Sequence, residues 1–211
     1  MIIAIESASS DPSLALASTD GVAFAADGWA GEGRQASELL PRLLVLLASA
    51  ARDLREATAM AVGVGPGSFT GLRVSMSLAK GMALALRVPV LGIPSLEAWL
   101  EAEPHAAAAV TRAGAQDAYL LIRGIPEPQV VAADDLRALV GGSLLSAPSE
   151  LALSFGLSGT LPPHEAASAI ARMAALRLSM DPGGDDLAQL EPWYLRAPRG
   201  VTSSEAVSRW P

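Results

Sequence analysis

Gly63-Val64-Gly65-Pro66-Gly67-Ser68-Phe69-Thr70-Gly71-Leu72-Arg73 is the stretch on which the reading of this chain turns. Four glycines and a proline within nine residues do not make an ordinary strand-to-helix joint. Glycine is required where φ is positive, or where a second chain or a ligand comes too close for a Cβ. The preceding Ala59-Met60-Ala61-Val62 reads as a short buried strand. Ser68 or Thr70 supplies the N-cap of the helix that follows. Strand, glycine-rich turn and capped helix together aim backbone N–H groups and a helix N-terminus at one point. The spacing fits neither G-x-x-x-x-G-K-[ST] nor G-x-G-x-x-G with a following acid. Two readings therefore stand side by side: a phosphate cradle, or a rigid turn that packs two elements tightly.

Outward from this stretch, residues 2–6, 13–18 and 22–26 are short apolar runs separated by Asp11-Pro12 and Asp20-Gly21. That spacing predicts an antiparallel meander. A helix is expected over 37–54, a strand over 59–64, a helix over 70–86 and a strand over 88–91. Helix-linked strands join a sheet in parallel through right-handed crossovers. The first hundred residues thus form an α/β, ribonuclease-H-like lobe. From residue 107 the pattern restarts, with strands at 107–111, 118–123 and 129–131, a helix at 134–140, a strand at 151–155 and a helix at 163–179. Internal duplication divides the chain into a first lobe, 1–100, and a reduced second lobe with a tail, 101–211. Gly141-Gly142-Ser143 and Asp181-Pro182-Gly183-Gly184 read as clipped loops. The polar tail 201–211 is either mobile or pinned by Trp210.

The chain has 211 residues, a formal net charge of −7, and 51% hydrophobic but only 4% aromatic residues. That length suffices for one large or two small cores. No run is long and apolar enough for a bilayer, and the opening strand lacks a basic leader, so neither membrane nor secretion is expected. The absence of cysteine excludes disulfide and thiol chemistry and fits a cytoplasmic protein. An acidic chain whose closest basic groupings are Arg52/Arg55 and Arg196/Arg199 offers no face for gripping RNA by itself. His105 and His164 are isolated, so no metal site is expected, and no G-x-S-x-G elbow is present.

The glycine stretch resembles the signature of the bacterial TsaB (YeaZ) family, which serves in threonylcarbamoyladenosine biosynthesis. Met1 to Ala8, Leu39-Leu40-Pro41, Lys80 to Ala85, Gly92 to Leu96 (as a strand) and Glu191 to Arg196 resemble that family in order along the chain. The likeness is close over residues 1–100 and sparse from 101 to 185. It implies a duplicated actin-like (ASKHA) fold, with mixed sheet flanked by helices. It also implies a non-catalytic scaffold that holds a TsaD-type catalytic subunit, with a TsaE-type ATPase as third member. The product is threonylcarbamoyladenosine at position 37 of tRNAs reading codons that start with A, and tRNA is met only through the complex. No intrinsic cofactor is implied, with ATP or ADP at the complex interface. The first turn ordinarily carries Asp in this architecture; here it is Glu6, followed by Ser7. A weak nucleotide or interface loop would comprise Glu6, Ser7, Gly65, Gly67, Ser68, Thr70, Gly71 and Arg73.

Both helices of the first lobe are apolar over more than one face. Such a helix is either sandwiched in a large core or covered by a partner. The second reading places Leu39, Leu40, Leu43, Leu47, Leu72, Ser75, Met76, Ala79, Met82 and Ala83 at a partner interface. Rival readings are a small-molecule kinase of the actin/sugar-kinase type and a homodimer built on the same helices.

Overall fold

The computed structural model describes residues 1–31 and 34–195. Arg196, Arg199, Trp210 and the tail 201–211 lie outside the described residues. Strands β1 (Ile2–Glu6), β2 (Ser13–Ala17) and β3 (Ala23–Gly28) form the expected antiparallel meander. Helix α1 (Gln35–Ser49), strand β4 (Ala59–Gly65), helix α2 (Phe69–Leu86) and strand β5 (Val90–Pro94) follow. β4 joins β1 in parallel and β5 joins β4 in parallel, giving the sheet order β3-β2-β1-β4-β5.

Alternation along the central strands sends side chains to two different layers. Ile3, Ile5, Met60 and Val62 pack against α1 and α2. Ile2, Ala4, Ala59 and Ala61 face the opposite way, where helix α6 (Ala166–Met180) covers them with Ala167, Ile170, Ala171 and Ala174. A sheet covered on both faces has continuously apolar strands, and β1, β2 and β4 are buried at every position.

Of the segment 92–96 expected as strand, residues 92–94 belong to β5 and only 95–96 do not. β5 stops at Pro94 and helix α3 (Ser95–Ala102) begins directly after it. Strands β6 (Ala108–Arg112), β7 (Asp117–Ile122) and β8 (Gln129–Ala132) form a second meander. Helix α4 (Ala133–Val140), strand β9 (Leu145–Ser146), helix α5 (Ser149–Phe155) and strand β10 (Thr160–Leu161) complete a sheet of order β10-β9-β6-β7-β8. The expected strand at 151–155 is thus helical. Leu151, Ala152 and Phe155 turn inward while Leu153 and Ser154 stay outside, a helical period. Gly156 then ends the helix at φ 62°.

The expected division at residue 100 is crossed twice. Helix α6, read as part of the second lobe, packs on the first sheet. The chain beyond it runs back across the first lobe, where Leu187, Leu190 and Trp193 join the α1/α2 core. Sequence periodicity could not assign α6, because an alanine-rich helix fits either sheet.

The two first-lobe helices also correct the expected interface. Leu39, Leu43 and Leu47 of α1 are buried, as are Leu72, Ser75, Met76, Ala79, Met82 and Ala83 of α2. Of the ten positions assigned to a partner surface, Leu40 alone is exposed, at 42%. The others form the inward faces of the helices, since the first sheet and the returning chain bury more of them than a lobe ending at residue 100 could. Ala79→Arg should therefore destabilise the protein itself, by on the order of 3–5 kcal/mol for a buried unpaired charge. Urea unfolding measures this, and an unchanged midpoint would contradict the core placement.

Candidate functional site

The glycine stretch is an interlock between the β1 turn and the start of α2. The N–H of Ser68 donates to the carbonyl of Ala8 at 2.7 Å. A Cβ on Gly67 would stand 2.2 Å from that same oxygen, and one on Gly71 would stand 2.0 Å from the Ser7 carbonyl. Gly65 has φ +101°, a conformation that L side chains rarely adopt. Ser68 caps α2 by accepting from the Gly71 N–H at 3.2 Å. Of the two readings left open by the spacing, the tight packing turn is the geometry observed.

Glu6 lies beneath this turn rather than in an open site. It is fully buried, and one carboxylate oxygen accepts from the Ala8 N–H at 2.5 Å. The other oxygen faces Gly63, where a Cβ would approach to 2.0 Å, lies near the Ser95 hydroxyl, and makes no hydrogen bond among the described residues. That hydroxyl in turn accepts from the Gly65 N–H at 3.0 Å. Burial pushes the Glu6 carboxyl up to about 7, against the opposing pull of the Ala8 N–H, the Ser95 hydroxyl and the Ser7 N–H. Ser7 is buried too, and its hydroxyl has no partner among the described residues.

Between the lobes runs a cleft of about 930 Å³. Ala8, Ser9, Ser10, Gly67, Ser68, Phe69 and Thr70 form its first-lobe wall. Arg112, Gln116, Asp117, Tyr119, Glu150 and Tyr194 are among the residues on the other sides. The loop residues singled out in the sequence therefore separate. Gly67, Ser68 and Thr70 line the cleft, whereas Glu6, Ser7, Gly65 and Gly71 stand behind the wall. Arg73 lies at the rim, its guanidinium 4.0 Å from the Phe69 ring centroid. Arg112 is held by Glu150 at 3.5 Å and by the Ser154 hydroxyl at 2.7 Å. Among the described residues no group of three or more His, Asp or Glu side chains could hold a metal ion.

A second feature lies on the outer side of the first lobe. α1 exposes Leu40, Leu44 and Val45, and α2 exposes Ser77, Gly81 and Leu84. Leu84 and Val45 are each 69% exposed. A Cβ on Gly81 would meet nothing within 4 Å. Leu44, Val45 and Leu84 were not among the expected interface positions. Their signal was present in the heptad-like run of leucines, but periodicity alone does not say which of two apolar faces points outward.

A family model described as TsaD, tRNA N6-adenosine threonylcarbamoyltransferase, matches residues 33–145. A protein of Mycobacterium tuberculosis (strain ATCC 25618 / H37Rv), described as uncharacterised, is 34% identical over 168 residues, 77% of this chain and 75% of its own length. The tRNA threonylcarbamoyladenosine biosynthesis protein TsaB of Escherichia coli is 38% identical over 58 residues, 28% of this chain and 25% of its own. In solved structures, YeaZ from Pseudomonas aeruginosa superposes with a TM-score of 0.69 at 23% identity, covering 92% of this chain and 99% of that one. That likeness is one of fold. The two mixed sheets with interleaved helices are the duplicated actin-like arrangement.

The buried carboxyl of Glu6 makes stability depend on pH. Below the ordinary value of 4.5, folded and unfolded chains both hold the proton and no penalty arises. As pH rises from there to about 7, the unfolded chain releases its proton while the folded chain keeps it, so folding stability falls. Above that the loss levels off, at on the order of 3 kcal/mol. Glu6→Gln should remove the trend, so its stability advantage over the parent grows between pH 5 and 7 and is constant above pH 8. Denaturant midpoints across that range check this; a difference independent of pH would refute the assignment.

Proposed function

The chain belongs to the TsaB (YeaZ) family, and on that premise we propose that it is the accessory subunit that binds and activates a TsaD-type threonylcarbamoyltransferase. Its place is in the biosynthesis of threonylcarbamoyladenosine on tRNA. The observation that carries the finer reading is the outward stripe of α1 and α2. Leu40, Leu44 and Val45 of α1 and Leu84 of α2 are exposed apolar positions on a packed helix pair, as are Val22, Phe24 and Phe69 elsewhere in the first lobe, and exposed apolar surface on such a pair marks association. The open Cα of Gly81, one turn before Leu84 on α2, lets a partner helix approach closely. A cytoplasmic assembly with the TsaD-type subunit and a TsaE-type ATPase fits this surface. A homodimer through the same stripe would compete with it, because both would cover the same residues.

The scaffold role, rather than catalysis, is supported by the cleft. Glu6, at the position where the fold's phosphoryl-transfer members carry a metal-positioning acid, is sealed behind Gly63 and Ala8. Its carboxylate cannot reach a phosphate in the cleft without dismantling the loop. The surface charge supports the further reading that tRNA is held elsewhere in the complex. Among the described residues at least eight arginines sit within ion-pair distance of carboxylates, which leaves little concentrated positive potential there. Nucleotide, where it takes part, belongs to the complex interface.

Gly81→Arg tests the surface cleanly. The new side chain meets open space, and replacing a mid-helix glycine favours the helix by about 0.5–1 kcal/mol. The variant should melt no lower than its parent, yet lose the TsaD-type subunit in light-scattering and titration experiments. It should also fail to support tRNA modification in a reconstituted assay. A folded variant that still binds would place the interface elsewhere. For the absence of catalysis, calorimetric titration of ATP-Mg²⁺ into the pure protein should give weak binding or none; a sub-micromolar constant, roughly −8 kcal/mol or better, would restore the kinase reading.

A further inference from the structure

The segment 184–195 has no role in the reading above, although it is one of the most heavily anchored stretches of the molecule. It leaves α6 and runs back along α2 from its C-terminal end to its first turn. Its first anchor is at β5, the edge of the first sheet. The Asp185 N–H donates to the Val90 carbonyl at 2.8 Å, and the Asp185 carboxylate accepts from the Gly92 N–H at 2.7 Å. Arg177 of α6 completes this clamp by donating to the Gly92 carbonyl at 2.7 Å and pairing with Asp185. Gly184 is fitted so closely that a Cβ would stand 2.8 Å from the Val90 carbonyl.

Midway, Lys80 of α2 donates to the Leu190 carbonyl at 3.1 Å, and the Leu190 side chain is 2% exposed. Near the end, the Trp193 N–H donates to the Val64 carbonyl at 2.7 Å, just before the glycine stretch. Tyr194 then lays its ring 5.5 Å from that of Phe69, the first residue of α2, and its hydroxyl accepts from Arg73 Nε at 3.1 Å. Arg73 stacks on Phe69 in turn. Phe69 and Tyr194 both line the interlobe cleft.

We propose that the segment 184–195 is a strap that sets the pose of α2, with Tyr194 as its latch, so that the outward stripe is presented correctly to the partner only while the strap is closed. This rests on the stripe being the partner surface. The physical reason is that the returning chain both packs on the α1/α2 core and ties α2 at two points along its length. Its polar ties to the returning chain are Lys80 in the middle and Arg73 at the start, one on each side of Ser77. Releasing Tyr194 removes the ring contact with Phe69 and the bond from Arg73, the strap's share of the restraint on a first turn that the glycine joint also holds. The coupling is reciprocal, as linkage requires: partner binding stabilises the closed strap.

The test compares four forms of the full chain for affinity to the TsaD-type subunit, well below their melting temperatures, alongside amide exchange at Phe69 to Met76. Tyr194→Ala should bind at least about tenfold more weakly and exchange faster in the first turn of α2. Tyr194→Phe keeps the ring contact and loses only the bond from Arg73, so it should stay within about threefold of the parent. Lys80→Met, a half-buried position outside the stripe, should weaken binding by about threefold, which keeps the test open if Tyr194→Ala does not fold. Gly81→Arg serves as the control for the surface itself. If Gly81→Arg abolishes binding while Tyr194→Ala and Lys80→Met bind like the parent, the strap inference is wrong and the partner surface stands. If Gly81→Arg binds normally, the partner surface is wrong, and the exchange data alone decide the strap: unchanged exchange in Tyr194→Ala would overturn it.

Discussion

Where the carbonyl groups of Ser7 and Ala8 press against the α-carbons of Gly71 and Gly67, the first turn of the chain and the start of α2 are locked together. A methyl group at either glycine would overlap a carbonyl oxygen at close to 2 Å, so the contact exists only because both side chains are absent. The Ser68 N–H to Ala8 carbonyl bond fixes the same interface from the polar side. Three consequences follow from this one contact. It sets where α2 begins, it builds the first-lobe wall of the cleft, and it seals Glu6 beneath the surface. The glycine stretch is a tight packing joint, and three of its residues, Gly67, Ser68 and Thr70, also line the cleft.

The second face of the first sheet obeys the same economy of size. Ala4, Ala15, Ala17, Ala59 and Ala61 meet Ala167, Ala171, Ala174 and Ala175 of α6. Methyl groups on both sides let helix and sheet approach closely, and a Cβ on Gly21 would come within 2.8 Å of the Arg172 Cα. Such packing gains dispersion contacts without large apolar area. It explains how a chain with so few aromatic residues sustains a two-sided sheet. It also makes the second half of the chain an integral part of the first lobe's core, since α6 and the segment after it both return there.

These two constraints explain why the outward stripe is so narrow. α2 is confined by the glycine joint at its start, by α1 on one flank and by the returning chain on the other. Beyond its first turns, α2 leaves Ser77, Gly81, Leu84 and Ala85 accessible, and α1 leaves Leu40, Leu44 and Val45. Under the proposed reading, partner binding depends on how rigidly that strip is offered. The cleft is lined by Asp117 and Glu150, while the buried Glu6 stands behind its wall.

By itself the sequence determined most of the first lobe, namely the meander, the crossover helices and the glycine turn, but not helix α3, whose first residues it read as strand. Those signals are local, carried by Asp20-Gly21, by short apolar runs and by glycines whose spacing constrains the backbone within a few residues. It also carried the family resemblance, concentrated in the same stretch. Tertiary structure alone decided which apolar face of α1 and α2 points inward, because both faces carry leucine or small residues and only the position of the sheet distinguishes them. It decided that 151–155 coils into a helix, since five apolar-rich residues satisfy either period. It assigned α6 to the first sheet and the segment 184–195 to the flank of α2, through contacts such as Asp185 with Gly92 and Tyr194 with Arg73 that join residues far apart in the chain. Local patterns specify elements; only contacts distant in sequence can say which surfaces those elements leave free.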